Sequence, residues 1–550
     1  MFQLAVISSL SRSRERGPRA ISSALRRAAT RWLAGVLTVT ALGVVGRGAT
    51  AAASAPPDPG TWFIHEYRVQ GAQHLPRETI EEAVYPFLGP ERTAADVEQA
   101  RAALEKAYRD GGWQTVAVQV PPQQVKGGVV TLQVVEGVVE RLRVRGARFS
   151  SPDAIKAMTP ALAEGRVVNF NDVPREIVAL NQLPDRRVTP VLRAGATPGG
   201  VDVDLNVVET SPLHATVELN NRRSADTTAL RVNVSATDNN FAQRDDSLGL
   251  SFQVAPQRSA DAKVLSAYYL ARYPAAGGLS LLFQGTKQDS NVSTLGGAAV
   301  TGRGETLGIR ALLRLPGAKN VYQSASLGFD YKHFDQTLRV GDSDLIAPIT
   351  YWPLSANYSA TLLGAKRETD LNAGVTLHLR GVGSDPAAFD ARRYQADAGF
   401  FVLHGDLSHT TEIGRGIQLF AKASGQLANQ PLLDSEEASG GGLGTVRGYL
   451  ESEVVGDNAA FGTLELRAPP WRFKAVEWRA YVFGDAGALK IQQALPQQHS
   501  YFYLASYGVG SRLRWQDNFN GSLDAGVPLA GQAQTQAHDL RFTFRLWADF

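Results

Sequence analysis

The chain has no cysteine among its 550 residues and only two methionines. Without cysteine there is no disulfide scaffold and no thiolate metal site, which suits a protein that crosses an oxidising compartment without bridges. Charge is modest too: 20% of residues are charged and the formal net is +3. Even that surplus is confined to the start, because residues 1–53 hold eight arginines and one glutamate and leave the remainder mildly acidic. No basic stripe remains for nucleic acid. From Thr210 onward no run of 18 apolar residues occurs, so helical membrane spans are not expected there. The nine histidines form no His-x-x-x-His pair, and zinc is not expected. Gly442, Gly444 and Gly448 in GLGTVRG match neither GxGxxG nor the P-loop, and no G-x-S-x-G elbow is found. The acid pairs Glu436-Glu437 and Asp245-Asp246 read as solvated turn residues. With no nucleophile, metal or cofactor site in view, an enzyme is the last of the readings.

What is present begins with a basic and then an apolar segment. Arg12, Arg14, Arg16, Arg19, Arg26, Arg27 and Arg31 precede the run Trp32 to Val45, followed by Ala49, Ala51, Ala53 and Ala55 at cleavage-site spacing. The run is shorter than the roughly 18 residues of a spanning helix, so residues 1–55 read as a secretory signal peptide.

After the Pro-rich joint Pro56 to Gly60 the pattern is strand, helix, helix, strand, strand. Phe63 to Gly71 is strand-like, and Ile80, Ala83, Val84 and Phe87 share a helical face. Thr93 and Asp96 form a capping box before Val97, Ala100, Leu104 and Tyr108, and Gly111-Gly112 ends that helix. Val116, Val118 and Val120, then Val130, Leu132 and Val134, alternate as strands. The order restarts about 75 residues later, as expected of an internal duplication. EYRVQGAQHLPRETI (Glu66 to Ile80) and RLRVRGARFSSPDAI (Arg141 to Ile155) share a valine, the Gly71/Gly146 turn and the Ile80/Ile155 anchor. Their last strands end near Glu136 and Glu209, and Val201, Val203, Leu205 and Val207 face away from Asp202, Asp204 and Asn206.

FIHEYRVQGAQHLP, LEKAYRDGGWQT and VTLQVVEG, within residues 62 to 145, resemble the first polypeptide-transport-associated (POTRA) domain of the hemolysin secretion/activation proteins. These are outer-membrane transporters of two-partner secretion. The resemblance implies periplasmic modules that receive an unfolded client by adding its extended segments to a sheet edge.

From about Thr210 the texture changes to alternating segments punctuated by Gly, Asn, Asp and Pro. Leu307, Ile309, Ala311, Leu313 and Leu315 oppose Arg310 and Arg314, while Gly462, Leu464 and Leu466 oppose Thr463, Glu465 and Arg467. In the last segment Leu540, Phe542, Phe544, Leu546, Ala548 and Phe550 share a face, and the terminal aromatic resembles the final strand of bacterial outer-membrane barrels. A lipid-facing wall needs apolar residues on one side only, with backbone groups satisfied by closure. The expected fold is a transmembrane antiparallel β-barrel of about sixteen strands, spanning 211–550. Two small α/β POTRA domains, 56–137 and 138–210, precede it.

SGGGLGTVRGYLES (Ser439 to Ser452) falls between the eleventh and twelfth expected strands, and its glycines allow a tight inward hairpin. Two strands on, Glu477, Arg479, Tyr481, Phe483 and Asp485 share the polar, lumenal register. VRGY and FGDAG resemble two signature motifs of the wider superfamily that also includes the outer-membrane assembly factors. That resemblance implies a loop motif Val446, Arg447, Gly448 and Tyr449 meeting a lumen motif Phe483, Asp485 and Gly487, with Arg447 gripping Asp485. An exposed ion pair is worth about 0–1 kcal/mol and breaking a desolvated one costs roughly 3–5. A wet lumen is expected to lie between. Arg447 and Asp485 would then latch the loop, with Val446 and Tyr449 packing it on the wall.

The leading expectation is an outer-membrane transporter that recognises one large, unfolded secreted exoprotein through its POTRA domains and exports it through the barrel. Its other partners would be outer-membrane lipid and the barrel-assembly machinery during biogenesis, with no cofactor or metal. An assembly factor for other barrels is the alternative, and a passive porin the third. One departure stands out. Many family members carry a plug helix before the first POTRA domain, yet cleavage near Ala53 or Ala55 leaves few residues before Trp62. Either the plug is missing or residues 1–55 are not a signal.

Overall fold

The computed structural model describes residues 60–550 apart from 198, 274–276, 296–297 and 341–342. The signal-peptide segment and most of the Pro-rich joint lie outside the described residues. Residues 211–550 form one compact unit and the described residues up to Thr210 another.

In the first α/β module Val129–Val135 lies between Glu66–Gln70, to which it runs parallel, and Ala117–Gln119, to which it runs antiparallel. Alternation decides which side of the sheet is covered. Val130, Leu132 and Val134 are buried together with Val97, Ala100, Leu104 and Tyr108 of the helix Ala94–Asp110. Asp96 accepts the Thr93 backbone N–H at 2.8 Å and its hydroxyl at 2.7 Å at the start of that helix. The expectation of one strand from Phe63 to Gly71 is corrected. Trp62–Ile64 pairs with Gly89–Arg92, whereas Glu66–Gln70 joins the main sheet. The change of partner occurs at His65, where the N–H groups of His65 and Glu66 both turn to the Gly128 carbonyl at 2.8 and 3.3 Å.

The second module repeats the topology. Val201–Glu209 lies between Val139–Arg145, parallel, and Arg186–Ala194, antiparallel. Val201, Val203, Leu205 and Val207 enter the core, but the opposite side is not simply solvated. Asp204 is buried beneath arginines, with nearest contacts to Arg143, Arg145 and Arg193 of 3.5, 3.2 and 3.7 Å.

The duplicated glutamates do the same job in both copies. Glu136 accepts the N–H groups of Gln73 and His74 at 2.8 and 3.1 Å and the Tyr108 hydroxyl at 3.0 Å. Glu209 accepts the N–H groups of Arg148 and Phe149, both at 2.8 Å. Burial pushes both carboxyls up, but these donors outweigh it and hold each below the usual glutamate range. A carboxylate held low stabilises the fold above its unfolded pKa of about 4.3, and that contribution is lost as pH falls through the folded value. Glu136→Ala and Glu209→Ala should each cost about 1–3 kcal/mol near neutral pH, with less difference from the parent in acid. Amide exchange in the full-length protein should quicken at residues 73–74 and 148–150 respectively. Unchanged protection there would exclude this role.

The second unit is a closed barrel of sixteen antiparallel strands from Leu213 to Asp549. Two of the sixteen are interrupted at proline, which cannot donate to a ladder. Ser343–Tyr351 and Leu354–Leu363 flank Trp352-Pro353 and pair with the same neighbour, and Asn458–Arg467 and Trp471–Phe473 flank Pro469-Pro470. Arg541–Asp549 pairs with Leu213–Asn220 to close the cylinder, and Phe550 exchanges backbone hydrogen bonds of 2.8 and 3.0 Å with Ala215. Short turns such as 364–366, 415–416 and 474–475 join strands at one end, and the long loops 378–400 and 429–457 lie at the other.

The pleat sorts the wall into two surfaces. Leu307, Ile309, Leu313, Trp478, Val482, Phe542 and Leu546 are exposed outward, while Arg310, Glu465, Tyr481 and Asp485 are buried inside. So much exposed apolar surface has no place in water, and a bilayer is its natural solvent. Rings gather where short turns end the strands: Trp471 stacks on Phe473 at 5.7 Å, and Phe519 contacts Trp515 and Phe550 at 5.3 and 6.4 Å. Such a girdle marks the membrane–water boundary.

Candidate functional site

The loop 429–457 joins the eleventh and twelfth strands, Ile417–Ala428 and Asn458–Arg467. Its stalk is a two-stranded ribbon, Ala438–Gly440 with Val454–Gly456. The tip turns back through left-handed glycines. A Cβ on Gly442, at φ +84°, would fall 2.3 Å from the Glu451 carboxylate. At Gly448, φ +90°, the loop backbone lies directly on the wall, and a Cβ built on Gly526 would fall 2.8 Å from the Gly448 nitrogen. Only glycine on both sides allows that approach.

This contact delivers Arg447 to the lumenal face of Val476–Lys490, the thirteenth strand. Arg447 donates from Nε to one Asp485 oxygen at 2.7 Å and from Nη2 to the other at 2.8 Å, and its backbone N–H adds a third bond at 3.1 Å. Nη1 donates to Glu465 at 2.6 Å. The guanidinium centre lies 3.6 Å from the Phe483 ring centroid. Asp524 stands 3.5 Å from Nη1 and accepts the Tyr481 hydroxyl at 2.7 Å. Glu465 in turn holds Arg467 at 2.7 Å, so charge alternates across the wall. A planar fork with five donors can satisfy two carboxylates and stack on a ring together, which a lysine cannot do.

The other motif residues serve the same docking. Val446 and Tyr449 are buried with Leu489 and Leu504. The Tyr449 hydroxyl lies 3.0 Å from the Ala505 carbonyl and 2.7 Å from that of Ala530. A Cβ on Gly487 would fall 3.1 Å from a Val446 methyl and 2.6 Å from the Phe461 ring, so glycine there makes room for both. Phe483 and Tyr481 lie over Gly508 and Gly510 of the next strand, their cross-strand partners.

The expectation of a wet pair is corrected. Arg447 is 7% exposed, Asp485 4% and Glu465 3%, because the apolar cluster around Val446 and Tyr449 packs beside them. The sequence reading also missed partners. Glu465 was legible as lumenal, opposite Leu464 and Leu466, but nothing local ties it to Arg447. Asp524 carried no signal at all. Glu451 binds Arg222 at 2.7 Å across a gap of more than two hundred residues. Three of the four paired acids are not solvated: Asp246 is buried and accepts from the Tyr269 hydroxyl and the Arg272 N–H, while Glu436 binds Lys332 and Tyr351. Glu437 lies 3.7 Å from Arg393, which also meets the buried Asp457. Burial of the loop root against Phe389, Phe400, Leu432 and Leu433 explains why these charges are paired. Among the described residues no three His, Asp or Glu side chains are placed to share a metal ion. The arrangement can hold a loop, and it presents no activated nucleophile.

Comparison with known proteins adds to this geometry. Residues 62–137 match the model of the POTRA domain, ShlB-type, and residues 199–513 that of the haemolysin secretion/activation protein ShlB/FhaC/HecB. The chain is 24% identical over 460 residues to the outer membrane transporter CdiB of Dickeya dadantii, covering 80% of this chain and 78% of that protein. Among solved structures, CdiB from Escherichia coli aligns with a TM-score of 0.60 at 20% identity, over 91% of this chain and 93% of that one. BamA from Haemophilus ducreyi lacking POTRA domains 1–3 aligns with a TM-score of 0.54 at 16% identity, over 89% of this chain and all of that one. At these identities the structures speak to the fold alone. The family model spans more than half of the chain, and the chain belongs to the ShlB/FhaC/HecB haemolysin secretion/activation family, the outer-membrane transporters of two-partner secretion, with its POTRA region in the periplasm.

Proposed function

We propose that this chain exports one large secreted partner, of the haemolysin or adhesin type, through the barrel lumen after its two α/β modules have captured it unfolded in the periplasm. The supporting observation is the docked loop, in which Arg447, held by Asp485 and Glu465, fixes the tip against the inner wall. A passive pore needs neither this latch nor two modules ahead of the barrel. In this reading Val446, Arg447, Gly448 and Tyr449 on the loop and Phe483, Asp485 and Gly487 on the wall are the working set. The latch keeps the loop in one conformation while an extended chain passes.

The alternative reading is insertion of other barrels into the membrane, since BamA shares the fold and the fold alone does not separate the two. Deleting the protein separates the two. Loss of a single large exoprotein from the culture supernatant is the expected result. General depletion of membrane barrels would point to the assembly factor, and impaired uptake of small solutes to a porin.

A further inference from the structure

We infer that the docked loop tip also staples the barrel, gripping both sides of the seam between the first and last strands through Glu451 and Glu453. The staple sets Asn221, whose side chain stands in for missing backbone at the outer end of that seam. This goes beyond the export reading and stands whichever client is carried.

The seam is incomplete. Its ladder runs from Thr216 opposite Asp549 to Asn220 opposite Arg545, while the last strand continues to Arg541 and stays paired to that point with its other neighbour, Phe519–Pro528. Residues 541–544 therefore have one edge with no strand beside it among the described residues. The first strand ends at Asn220, and the next side chain takes over. Asn221 donates from Nδ2 to the Phe542 carbonyl at 2.9 Å, and its Oδ1 accepts the Phe544 N–H at 2.7 Å. Its backbone N–H donates to the Phe544 carbonyl at 3.3 Å. A carboxamide carries both a donor and an acceptor, so it can replace a peptide unit in a ladder. Phe542 is exposed on the outer wall, where a backbone group without a partner is costly in hydrocarbon.

The residue after Asn221 ties it to the loop. Arg222 donates from Nε and Nη2 to the two Glu451 oxygens at 2.7 and 3.3 Å, and the Glu451 N–H donates to the Arg223 carbonyl at 3.0 Å. Glu451 is buried and also accepts the Leu443 N–H of its own loop at 3.2 Å, so its position follows that of the tip. On the other side of the seam lies the loop 529–540, which leads into the last strand. There Glu453 accepts the Gln534 N–H at 3.1 Å and the Thr535 hydroxyl at 2.8 Å, and the Tyr449 hydroxyl donates to the Ala530 carbonyl at 2.7 Å.

One tip thus holds the segment that leaves the first strand and the segment that enters the last. Docking the loop and closing the outer seam become a single event. When the tip lifts, Arg222 loses its carboxylate, Asn221 loses its anchor, and the Phe542 carbonyl and Phe544 N–H are left without partners at the seam. The backbone ladder from Asn220 to Thr216 keeps the cylinder closed below them. Glu451, Glu453 and Asn221 are therefore positioning residues, acting on the seam through the loop that Arg447 latches.

Amide exchange of full-length protein in lipid nanodiscs reads the seam at residues 541–546, and chymotrypsin cleavage at the buried Tyr449 reads the tip. Asn221→Ala should quicken exchange at 541–546 about tenfold while Tyr449 stays resistant. Arg447→Ala and Asp485→Ala should free the tip and quicken the same residues to a similar extent, although Arg447 donates to neither strand of the seam. Glu451→Ala should do so too, and adding it to Asn221→Ala should change nothing more, since both remove the same clasp. Unchanged exchange at 541–546 in both Arg447→Ala and Asp485→Ala overturns the staple. Unchanged exchange in Asn221→Ala overturns the part given to that side chain. Effects of Glu451→Ala and Asn221→Ala that multiply overturn the path through Arg222.

Discussion

Arg447→Ala is expected to cut export about tenfold or more while the barrel still inserts, because the cost falls on the loop and not on the wall. The substitution leaves Asp485 and Glu465 buried without their cation. Removing one partner of a desolvated pair costs roughly 3–5 kcal/mol, against 0–1 for an exposed pair, and the low exposure of all three side chains places this site at the costly end. The backbone ladders of the sixteen strands do not depend on that side chain. The measurement is secreted partner in the supernatant, normalised to heat-modifiable barrel in the outer-membrane fraction. Arg447→Lys should fall between, since an ammonium cannot satisfy both Asp485 oxygens and Glu465 from one planar fork. Undiminished export by the alanine variant, with the loop shown by protease to be released, would sink the latch.

Gly526→Val should reproduce the defect without touching a charge. Its side chain would meet the backbone of Gly448 at 2.8 and 3.0 Å, and neither chain can give way without lifting the loop. Gly462→Ala is the control, because nothing lies within 4 Å of a Cβ built there and it should export normally. Both Gly526→Val and Arg447→Ala release the same loop, so the double variant should be no worse than either single one, whereas independent effects would multiply. A double variant far below both singles would show that the arginine acts on something besides loop position.

Much of the wall was legible because a strand's pleat is a local property. Leu307, Ile309 and Leu313 opposed to Arg310, or Leu464 and Leu466 opposed to Glu465, reveal two unlike solvents without any knowledge of neighbours. The same holds for the Thr93/Asp96 cap, a pattern local to one helix start, and for the place of Glu136 and Glu209 at the ends of matching strands, though not for the N–H groups those glutamates bind. The strand count came through even though two strands are broken at proline. What escaped was anything that depends on a partner far along the chain. Glu451 gives no hint of Arg222, and Gly89–Arg92 gives no hint that it will pair with Trp62–Ile64.

Taken alone, the amino-acid order settled the alternation that requires a lipid-facing cylinder, the repeated α/β unit ahead of it, and a glycine-rich segment able to fold inward. Tertiary structure decided that Arg447 is shared between Asp485 and Glu465 under a ring, that the site is buried, and that Asp246, Glu436 and Glu437, which resemble solvated turn residues, are paired. The reason is physical. Alternation and turn chemistry follow from bonds between adjacent residues, whereas burial and ion pairing follow from strand register and the path of one loop, which are fixed only when the whole sheet closes.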